Sequence, residues 1–218
     1  MKRTMKIALA AAVLTMGLTG PVAAGPYEDA MAAAKRGDYA AAIGLWRPLA
    51  DMGDRDARFL LGSMYAAGKG VPQDYAQAAE WYRLAADQGE SLSQFFLGVM
   101  YSNGQGVPQD YAQAVKWYRL AADQGDADAQ NNLALRYSNG QGVPQDYAEA
   151  VKWWRLAADQ GFADAQYNLG VRYDNGQGVP RDFTQAVKWW RLAGDQGFAR
   201  AQYKLGVMYT NGQGVPQE

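Results

Sequence analysis

The residues of this chain that could do chemistry are carboxylates and aromatic rings, because cysteine and histidine are both absent from its 218 positions. Thiolate nucleophiles, Ser-His-Asp triads, Cys/His zinc sites and disulfide frameworks all need residues that the chain lacks. Catalysis would have to depend on carboxylates, lysine, tyrosine or serine. One set of regularly spaced carboxylates consists of Asp74, Asp110, Asp146 and Asp182, which lie 36 residues apart.

These aspartates are better explained as helix caps than as catalytic groups. Asp74 is followed three residues later by Gln77, and Asp146 by Glu149. This spacing is a variant of the capping box, in which the first side chain accepts hydrogen bonds from free N–H groups of the first helical turn. Loss of one such cap should cost about 1 kcal/mol. The pattern therefore predicts four helix starts.

The aromatic pairs that follow each aspartate could stack on a sugar or fill a core between helices. The paired rings are Trp81-Tyr82, Trp117-Tyr118, Trp153-Trp154 and Trp189-Trp190. In the first copy, the rings and three alanines follow the spacing i, i+3, i+4, i+7 and i+8, namely Ala78, Trp81, Tyr82, Ala85 and Ala86. This spacing is typical of the buried face of a helix, so we expect the rings to form a core.

A second helix is predicted before each loop, and it carries the pattern Leu-Gly-x-x-Tyr, as in Leu169-Gly170-Tyr173. A glycine inside a helix costs about 1 kcal/mol relative to alanine. Its recurrence therefore indicates that a neighbouring helix passes too close for a side chain, although Ala134 shows that one methyl group is tolerated in one copy. On the other helix, a mixed-sign stripe that includes Arg119 and Asp123 is typical of a solvated face.

One period organises most of the chain. The triplet Gly-Val-Pro recurs five times at a spacing of 36 residues without insertions, at Gly70-Val71-Pro72, Gly106-Val107-Pro108, Gly142-Val143-Pro144, Gly178-Val179-Pro180 and Gly214-Val215-Pro216. A fixed period in this range predicts a solenoid of stacked two-helix units.

The full pattern, A-x-x-x-L-G-x-x-Y-x-x-G-x-G-V-x-x-D-x-x-x-A-x-x-W-Y-x-x-A-A-x-x-G, resembles the Sel-1-like repeat, a relative of the tetratricopeptide repeat with a longer loop between its helices. Four full copies lie at residues 54–89, 90–125, 126–161 and 162–197. The resemblance implies an all-α fold, a right-handed α-solenoid of antiparallel helix pairs. The departures are small: Ser93 and Gly194 each replace an alanine, and Ala134 replaces a glycine.

The two ends of the array depart more from the pattern. Residues 25–53 are predicted to form a degenerate helix pair that caps the N-terminal end. Residues 198–218 supply the first helix and the loop of an incomplete fifth repeat. Without a second helix, Leu205 and Tyr209 would be poorly covered, and solenoids need a polar cap at each end. We therefore expect either a truncated chain or a partner that associates with this end.

The first 24 residues have the features of a signal peptide. Lys2, Arg3 and Lys6 precede an apolar stretch of about 14 residues, which is too short to cross a bilayer. Cleavage is expected after the small residues Val22-Ala23-Ala24, so we expect a mature chain without a membrane span, in the periplasm or the medium. Cleavage would remove three basic residues and no acidic one, and would change the net charge from −1 to −4. This balance makes nucleic acid a poor candidate partner.

The resemblance also implies where a partner would bind, because the first helix of each tetratricopeptide-like pair lines a concave groove. Alignment on the Leu-Gly-x-x-Tyr core gives three candidate columns. The first consists of Phe59, Phe95, Asn131, Tyr167 and Tyr203, the second of Ser63, Val99, Leu135, Val171 and Val207, and the third of Ala66, Ser102, Ser138, Asp174 and Thr210. Aromatic rings beside amides suit peptide recognition. The alternative is that the columns only continue the packing surface between helices.

Two functions are therefore weighed. The first, implied by the resemblance, is a non-catalytic exported scaffold or adaptor that binds a protein or peptide and needs no cofactor or metal. The second is an envelope enzyme of the β-lactamase or penicillin-binding type, as assigned to some cysteine-rich relatives. The chain lacks the cysteines of those relatives and has no S-x-x-K motif, so the first interpretation is favoured.

Overall fold

The computed structural model of the protein describes residues 25–214. The predicted signal peptide, the last two residues of the fifth Gly-Val-Pro triplet and the end of the chain at Glu218 lie outside the described residues. The chain forms two compact units, one that ends at Gln109 and one that begins at Asp110. Within residues 25–214, the regular secondary structure consists of 11 α-helices and no strand.

The first unit contains five helices, and each helix packs against the next. They are α1 (Pro26–Lys35), α2 (Tyr39–Asp51), α3 (Arg55–Ala67), α4 (Tyr75–Ala86) and α5 (Ser91–Asn103). The odd-numbered helices, of which α3 and α5 carry the Leu-Gly-x-x-Tyr pattern, are called A helices. The even-numbered helices, which in the full repeats carry the aromatic pair, are called B helices.

The second unit contains six helices with the same alternation, and again each helix packs against the next. They are α6 (Tyr111–Asp123), α7 (Ala127–Asn139), α8 (Tyr147–Asp159), α9 (Ala163–Asn175), α10 (Phe183–Asp195) and α11 (Ala199–Thr210). Both units are therefore stacks of repeating helix pairs, and the predicted all-α solenoid class is confirmed.

The predicted helix caps are present, but only half of the capping box is used. The Asp74 carboxylate accepts hydrogen bonds from the backbone N–H groups of Ala76 and Gln77 at 2.9 and 3.0 Å. The backbone N–H of Asp74 itself donates to the carbonyl of Tyr65 at 3.0 Å. The second half of the box, in which Gln77 would accept from that N–H, is therefore replaced by a bond to the preceding A helix. This bond ties the start of α4 to α3.

The helical glycines are packing sites, as the sequence predicts. A Cβ atom added at Gly62 would lie 2.7 Å from the ring of Tyr82, and one added at Gly170 would lie 2.5 Å from Nε1 of Trp190. The loop glycines serve a similar purpose. A Cβ atom added at Gly70, where φ is +73°, would lie 2.6 Å from the backbone of Tyr39. The loop lies so close to the first turn of the preceding B helix that the residue at this position can have no side chain.

The aromatic pairs fill the space between helices. Trp154 and Trp190 on the second unit's B helices are 1% and 0% exposed, and Tyr82 on α4 is 2% exposed. The core interpretation is therefore confirmed for seven of the eight paired rings, and Trp153 is half-buried and packs against the core of the second unit. Within the described part of the chain, no helix combines the length and the apolar character needed to cross a membrane.

Candidate functional site

The first predicted column lies mostly in the packing layer between helices. Phe59, Phe95 and Asn131 are only 5%, 5% and 8% exposed. The side-chain oxygen of Asn131 accepts a hydrogen bond from Nε1 of Trp154 at 3.0 Å. At Tyr167 the backbone carbonyl accepts the corresponding bond from Trp190, at 3.1 Å. These positions therefore face the B helix of their own pair, and the packing alternative describes the buried members of the column.

In the first unit the column belongs to an aromatic cluster. The ring centroid of Phe59 lies 5.9 Å from that of Tyr82 and 6.3 Å from that of Phe96, and Phe95 lies 5.3 Å from Phe96. The Tyr82 hydroxyl donates to Ser63 at 3.1 Å, and burial raises the pKa of this hydroxyl above its usual range. The A helices α3 and α5 thus present packed rings rather than groups that a ligand could reach.

The other two predicted columns are more accessible in the second unit. Leu135 and Val171 are half-buried, whereas Ser138 is 7% exposed. Asp174 is half-buried and forms an ion pair with Lys204, in which the nitrogen and oxygen atoms are 3.7 Å apart. The predicted residues of this unit that keep surface for a partner include Leu135, Tyr167, Asp174 and Tyr203.

Sequence reasoning missed a set of polar residues next to the first column. Asn132 and Asn168 are half-buried on α7 and α9. The amide of Asn168 donates to the side chain of Asn131 at 3.4 Å, and that of Asn132 donates to the backbone of Asp128 at 2.8 Å. The signal in the sequence is a change of residue type. The same position is Leu60 in α3 and Phe96 in α5, and both of these side chains are buried.

The reason for the miss is helical register. Consecutive residues of an α-helix are rotated by about 100° about its axis, so the residue next to a chosen column lies on a different face of the helix. The column through Asn131 faces the paired B helix, and the next residue along faces away from that helix. We call the partly accessible polar group on α7 and α9 the polar A-helix face, and it consists of Asp128, Asn132, Asp164 and Asn168.

The carboxylates of the polar A-helix face are electrostatically unusual. Burial raises the pKa of Asp128, and together with the negative charges of Asp126 and Asp164 it brings this pKa to about 6. Burial also raises the pKa of Asp164, against the opposing effect of the Arg200 charge. Near neutral pH the Asp128 carboxylate is therefore easily protonated, and it can then donate as well as accept a hydrogen bond.

Two arginines lie on the same A helices with hydrogen-bonding capacity to spare. The guanidinium group of Arg136 lies 5.2 Å from the ring centroid of Tyr111, and that of Arg172 lies 5.4 Å from the ring centroid of Tyr147. In both arginines the buried Nε atom has no hydrogen-bond partner among the described residues. Burial lowers the pKa of the Arg172 guanidinium. Because the Nε atoms are buried, donation to carboxylate or carbonyl oxygens of a partner would have to come from the terminal amino groups of these half-buried side chains.

The arginine of the mixed-sign stripe has a structural contact that the sequence did not predict. Arg119 on α6 is exposed, but its guanidinium donates to the hydroxyl of Tyr137 on α7. The same contact recurs 36 residues apart within each unit. The pairs are Arg47–Tyr65, Arg83–Tyr101, Arg119–Tyr137, Arg155–Tyr173 and Arg191–Tyr209. The solvated interpretation is therefore incomplete, because this residue links each B helix to the next A helix.

No group of acidic side chains in residues 25–214 has the arrangement needed to hold a metal ion. The recurrent aspartates are engaged by helix N-termini, as at Asp146, whose carboxylate accepts from Ala148 and Glu149 at 2.9 Å each. The accessible chemistry is thus that of amides, carboxylates, guanidinium groups and small apolar side chains. This combination suits the recognition of a polypeptide surface.

Comparison with solved structures shows the same architecture in other proteins. The chain is 35% identical to a protective antigen present in uropathogenic Escherichia coli strains, which displays an SLR fold. The TM-score is 0.85, and the match covers 99% of this chain and 45% of that one. It is 32% identical to a Sel1 repeat protein from Oxalobacter formigenes, with a TM-score of 0.81 and coverage of 88% and 77%. A protein described as a putative sel1 repeat protein, from Klebsiella pneumoniae, is 25% identical with a TM-score of 0.52, over 84% and 91% of the two chains.

The chain spans less than half of the length of the Escherichia coli antigen. No curated protein matches it. The family model described as Sel1 repeat matches five consecutive segments, at residues 55–90, 91–126, 127–162, 163–198 and 199–218. These segments begin one residue later than the copies delimited from the sequence pattern. Because they cover more than half of its residues, the chain belongs to the Sel1 repeat family.

Proposed function

We propose that this protein is a non-catalytic scaffold that binds a protein or peptide partner through the polar A-helix face of its second unit. The observation that carries the proposal is the contrast between the units. In the first unit, one position of the A helix holds the buried side chains of Leu60 and Phe96. In the second unit, the same position holds the half-buried amides of Asn132 and Asn168. Packing does not need amides at these positions, since the same scaffold folds with apolar residues there.

The chemistry of this face suits the backbone of a bound polypeptide. An asparagine amide can accept from a backbone N–H and donate to a backbone carbonyl at the same time. The half-buried side chains of Leu135 and Val171 on the same helices provide apolar contact. Arg136 and Arg172 can donate to acidic side chains of the partner. We further propose that the chain acts in the periplasm or the medium after removal of residues 1–24, which is supported by its N-terminal sequence pattern.

Site-specific photo-crosslinking tests the proposed face. The photoreactive amino acid benzoylphenylalanine would replace Val171, which lies beside Asn168 on α9. In a matched control it would replace Leu156, which is 49% exposed on α8. Each protein would be irradiated in envelope extract of the encoding organism, and the adducts would be identified by mass spectrometry. We expect a discrete adduct from position 171 and none of the same mass from position 156.

The captured protein would then be purified and titrated against the wild type and an Asn168→Ala variant. A loss of affinity of about tenfold in the variant, with an unchanged circular dichroism spectrum, is the expected result. Equal adducts from both positions, or equal affinity of both proteins, would move the binding surface away from the polar A-helix face. Absence of any adduct from position 171 would count against a protein-binding role for this face.

A further inference from the structure

Each B helix of the second unit carries one exposed leucine. Leu120 on α6, Leu156 on α8 and Leu192 on α10 are 40%, 49% and 41% exposed. Helix α8 packs on the A helices before and after it, and Leu156 is nevertheless the most exposed of the three. The exposure of these leucines is therefore a property of the repeat and does not depend on where the sequence ends.

A lysine and an aspartate flank each of these leucines. The lysine lies four residues before the leucine and the aspartate three residues after it, so both are within about 60° of the leucine around the helix axis. Across the three helices, the side chains form a basic, an apolar and an acidic row. We call this surface the leucine face, and its charged members, all exposed, are Lys116, Lys152, Lys188, Asp123, Asp159 and Asp195.

The acidic row has no counter-charge on its own chain. Among residues 25–214, no lysine or arginine forms an ion pair with the carboxylates of Asp123, Asp159 or Asp195. The arginines that precede the leucines are directed to the next A helix, as at Arg155, which donates to the hydroxyl of Tyr173. In the basic row, Lys152 forms an exposed ion pair with Glu149 on its own helix at 2.6 Å. The acidic row can therefore accept cationic groups from outside the chain.

We propose that the leucine face binds a second copy of this chain in a two-fold dimer, with Leu156 next to the axis. A two-fold axis perpendicular to the face reverses the direction of the helices, so the basic row of each copy meets the acidic row of the other. Along α8, Lys152 lies about 6 Å from Leu156 in one direction and Asp159 about 4.5 Å in the other. Lys152 therefore lies nearly level with Asp159 of the partner subunit.

The outer helices of the face are complementary in the same way. The two-fold axis places α6 of one copy opposite α10 of the other. Beside α10 there is a shallow groove of about 300 Å³, with Val187 and Leu192 among its lining residues. This groove offers apolar contact to Leu120 of the partner subunit. A groove of about 540 Å³ lies beside α4 of the first unit, lined in part by Leu84 and Val107, so such grooves are not confined to the last repeat.

The first unit lacks the complementary pattern. On α4, Leu84 is 43% exposed and Asp87 follows it, but the position of the lysine is occupied by Glu80. Two-fold pairing of α4 with itself would place Glu80 opposite Asp87 of the partner subunit, and like charges in contact oppose association. The proposal is therefore confined to the second unit, and the first unit supplies a control.

This inference goes beyond the proposed function because it concerns the B helices and a second copy of the chain. The two proposals can fail separately. Photo-crosslinking from position 171 reports on the polar A-helix face, whereas the oligomeric state reports on the leucine face. An adduct from position 156 with the mass of two copies of this chain would come from the dimer and differs from the adduct sought at position 171.

Sedimentation velocity of the purified protein at about 5–500 μM tests the dimer. We expect a reversible equilibrium between monomer and dimer, with a dissociation constant in the micromolar range. Leu156→Ser should raise this constant at least tenfold, because it removes the apolar contact next to the axis. Leu84→Ser makes the same change at an equally exposed leucine of α4 and should leave the constant unchanged.

Two charge variants test the arrangement of the rows. One replaces the basic row by Lys116→Glu, Lys152→Glu and Lys188→Glu, and the other replaces the acidic row by Asp123→Lys, Asp159→Lys and Asp195→Lys. All six positions are exposed, so the circular dichroism spectra should not change. Each variant alone should be monomeric, since its two rows carry the same sign. An equimolar mixture should form a one-to-one heterodimer, in which every row meets one of opposite sign.

A matched control excludes attraction between the net charges of the two variants. The same mixture would be prepared with Leu120→Ser, Leu156→Ser and Leu192→Ser in both proteins, which leaves the charges in place and removes the apolar row. We expect the dissociation constant of the heterodimer to rise at least tenfold.

The inference is overturned if the wild type remains monomeric up to about 500 μM. It is also overturned if Leu156→Ser forms dimers as the wild type does, because another surface would then hold the copies together. A mixture of charge variants that does not associate, or that associates equally without the leucines, contradicts it as well. A crosslinked partner from position 171 together with a monomeric protein would leave the proposed function standing and remove only this inference.

Discussion

At the scale of single residues, Asp128 shows how the repeat scaffold alters the chemistry of one side chain. Its carboxylate lies at the start of α7, partly buried and near the charges of Asp126 and Asp164, and its pKa rises from 3.8 to about 6. In the unfolded chain the same group keeps the lower pKa. Between these two values the folded protein binds more protons than the unfolded protein, so ionisation of Asp128 lowers the stability as the pH rises through this window.

We therefore predict that Asp128→Asn changes the pH dependence of stability. The difference between the melting temperatures, variant minus wild type at the same pH, should grow from pH 4 to pH 7, because the variant has no charge to bury. Thermal unfolding monitored by circular dichroism at pH 4, 5, 6 and 7 measures the difference. Carboxylates that do not interact with Asp128 titrate equally in both proteins and cancel. A difference that stays constant across this range would contradict the raised pKa.

At the scale of elements, the sequence predicts the helices and their caps well because these depend on local chemistry. The aspartate caps, the left-handed glycines and the alanine stripe act within a few residues, and the structure places them as the pattern indicates. The accessible face of an A helix depends instead on which neighbour covers it. The alignment therefore predicts Phe95 and Asn131 as ligand-facing residues although both are buried, and it does not single out the half-buried Asn168.

The packing of an A helix against its B helix yields a prediction for which another repeat of the same chain provides the comparison. Gly170→Ala should destabilise the protein by about 1–2 kcal/mol, because the new methyl group overlaps Trp190 and the gain in helix propensity offsets only part of this cost. In α7 the corresponding alanine, Ala134, is accommodated where the indole of Trp154 bonds to the side chain of Asn131. An asparagine at position 167 should therefore provide the same alternative for Trp190.

A double-mutant cycle measures this coupling. Tyr167→Asn, Gly170→Ala and the double variant would be compared with the wild type by denaturant unfolding. We expect the double variant to be more stable than the sum of the two single effects by about 1 kcal/mol. If the two effects are strictly additive, the indole of Trp190 does not exchange the backbone carbonyl of residue 167 for the new asparagine side chain as its hydrogen-bond acceptor. Gly206→Ala, where no ring is present, is the control and should be neutral or stabilising.

At the scale of the whole molecule, the stability of a helical repeat array is a sum of contacts between neighbouring helices. In both units each helix packs mainly on the next one in sequence, so a helix with one bare side has fewer interactions than one between two neighbours. Helix α9 packs on α8 and on α10, whereas among the described residues α11 packs on α10, and Tyr203 and Val207 on it are exposed. Local unfolding should therefore start at α11.

Hydrogen exchange followed by mass spectrometry tests this order of unfolding. We predict that the backbone amides of α11 exchange faster than those of α9 under native conditions, and that low concentrations of denaturant widen the gap. If α9 and α11 exchange at the same rate, the second unit opens as one cooperative body, and α11 is not its weak point.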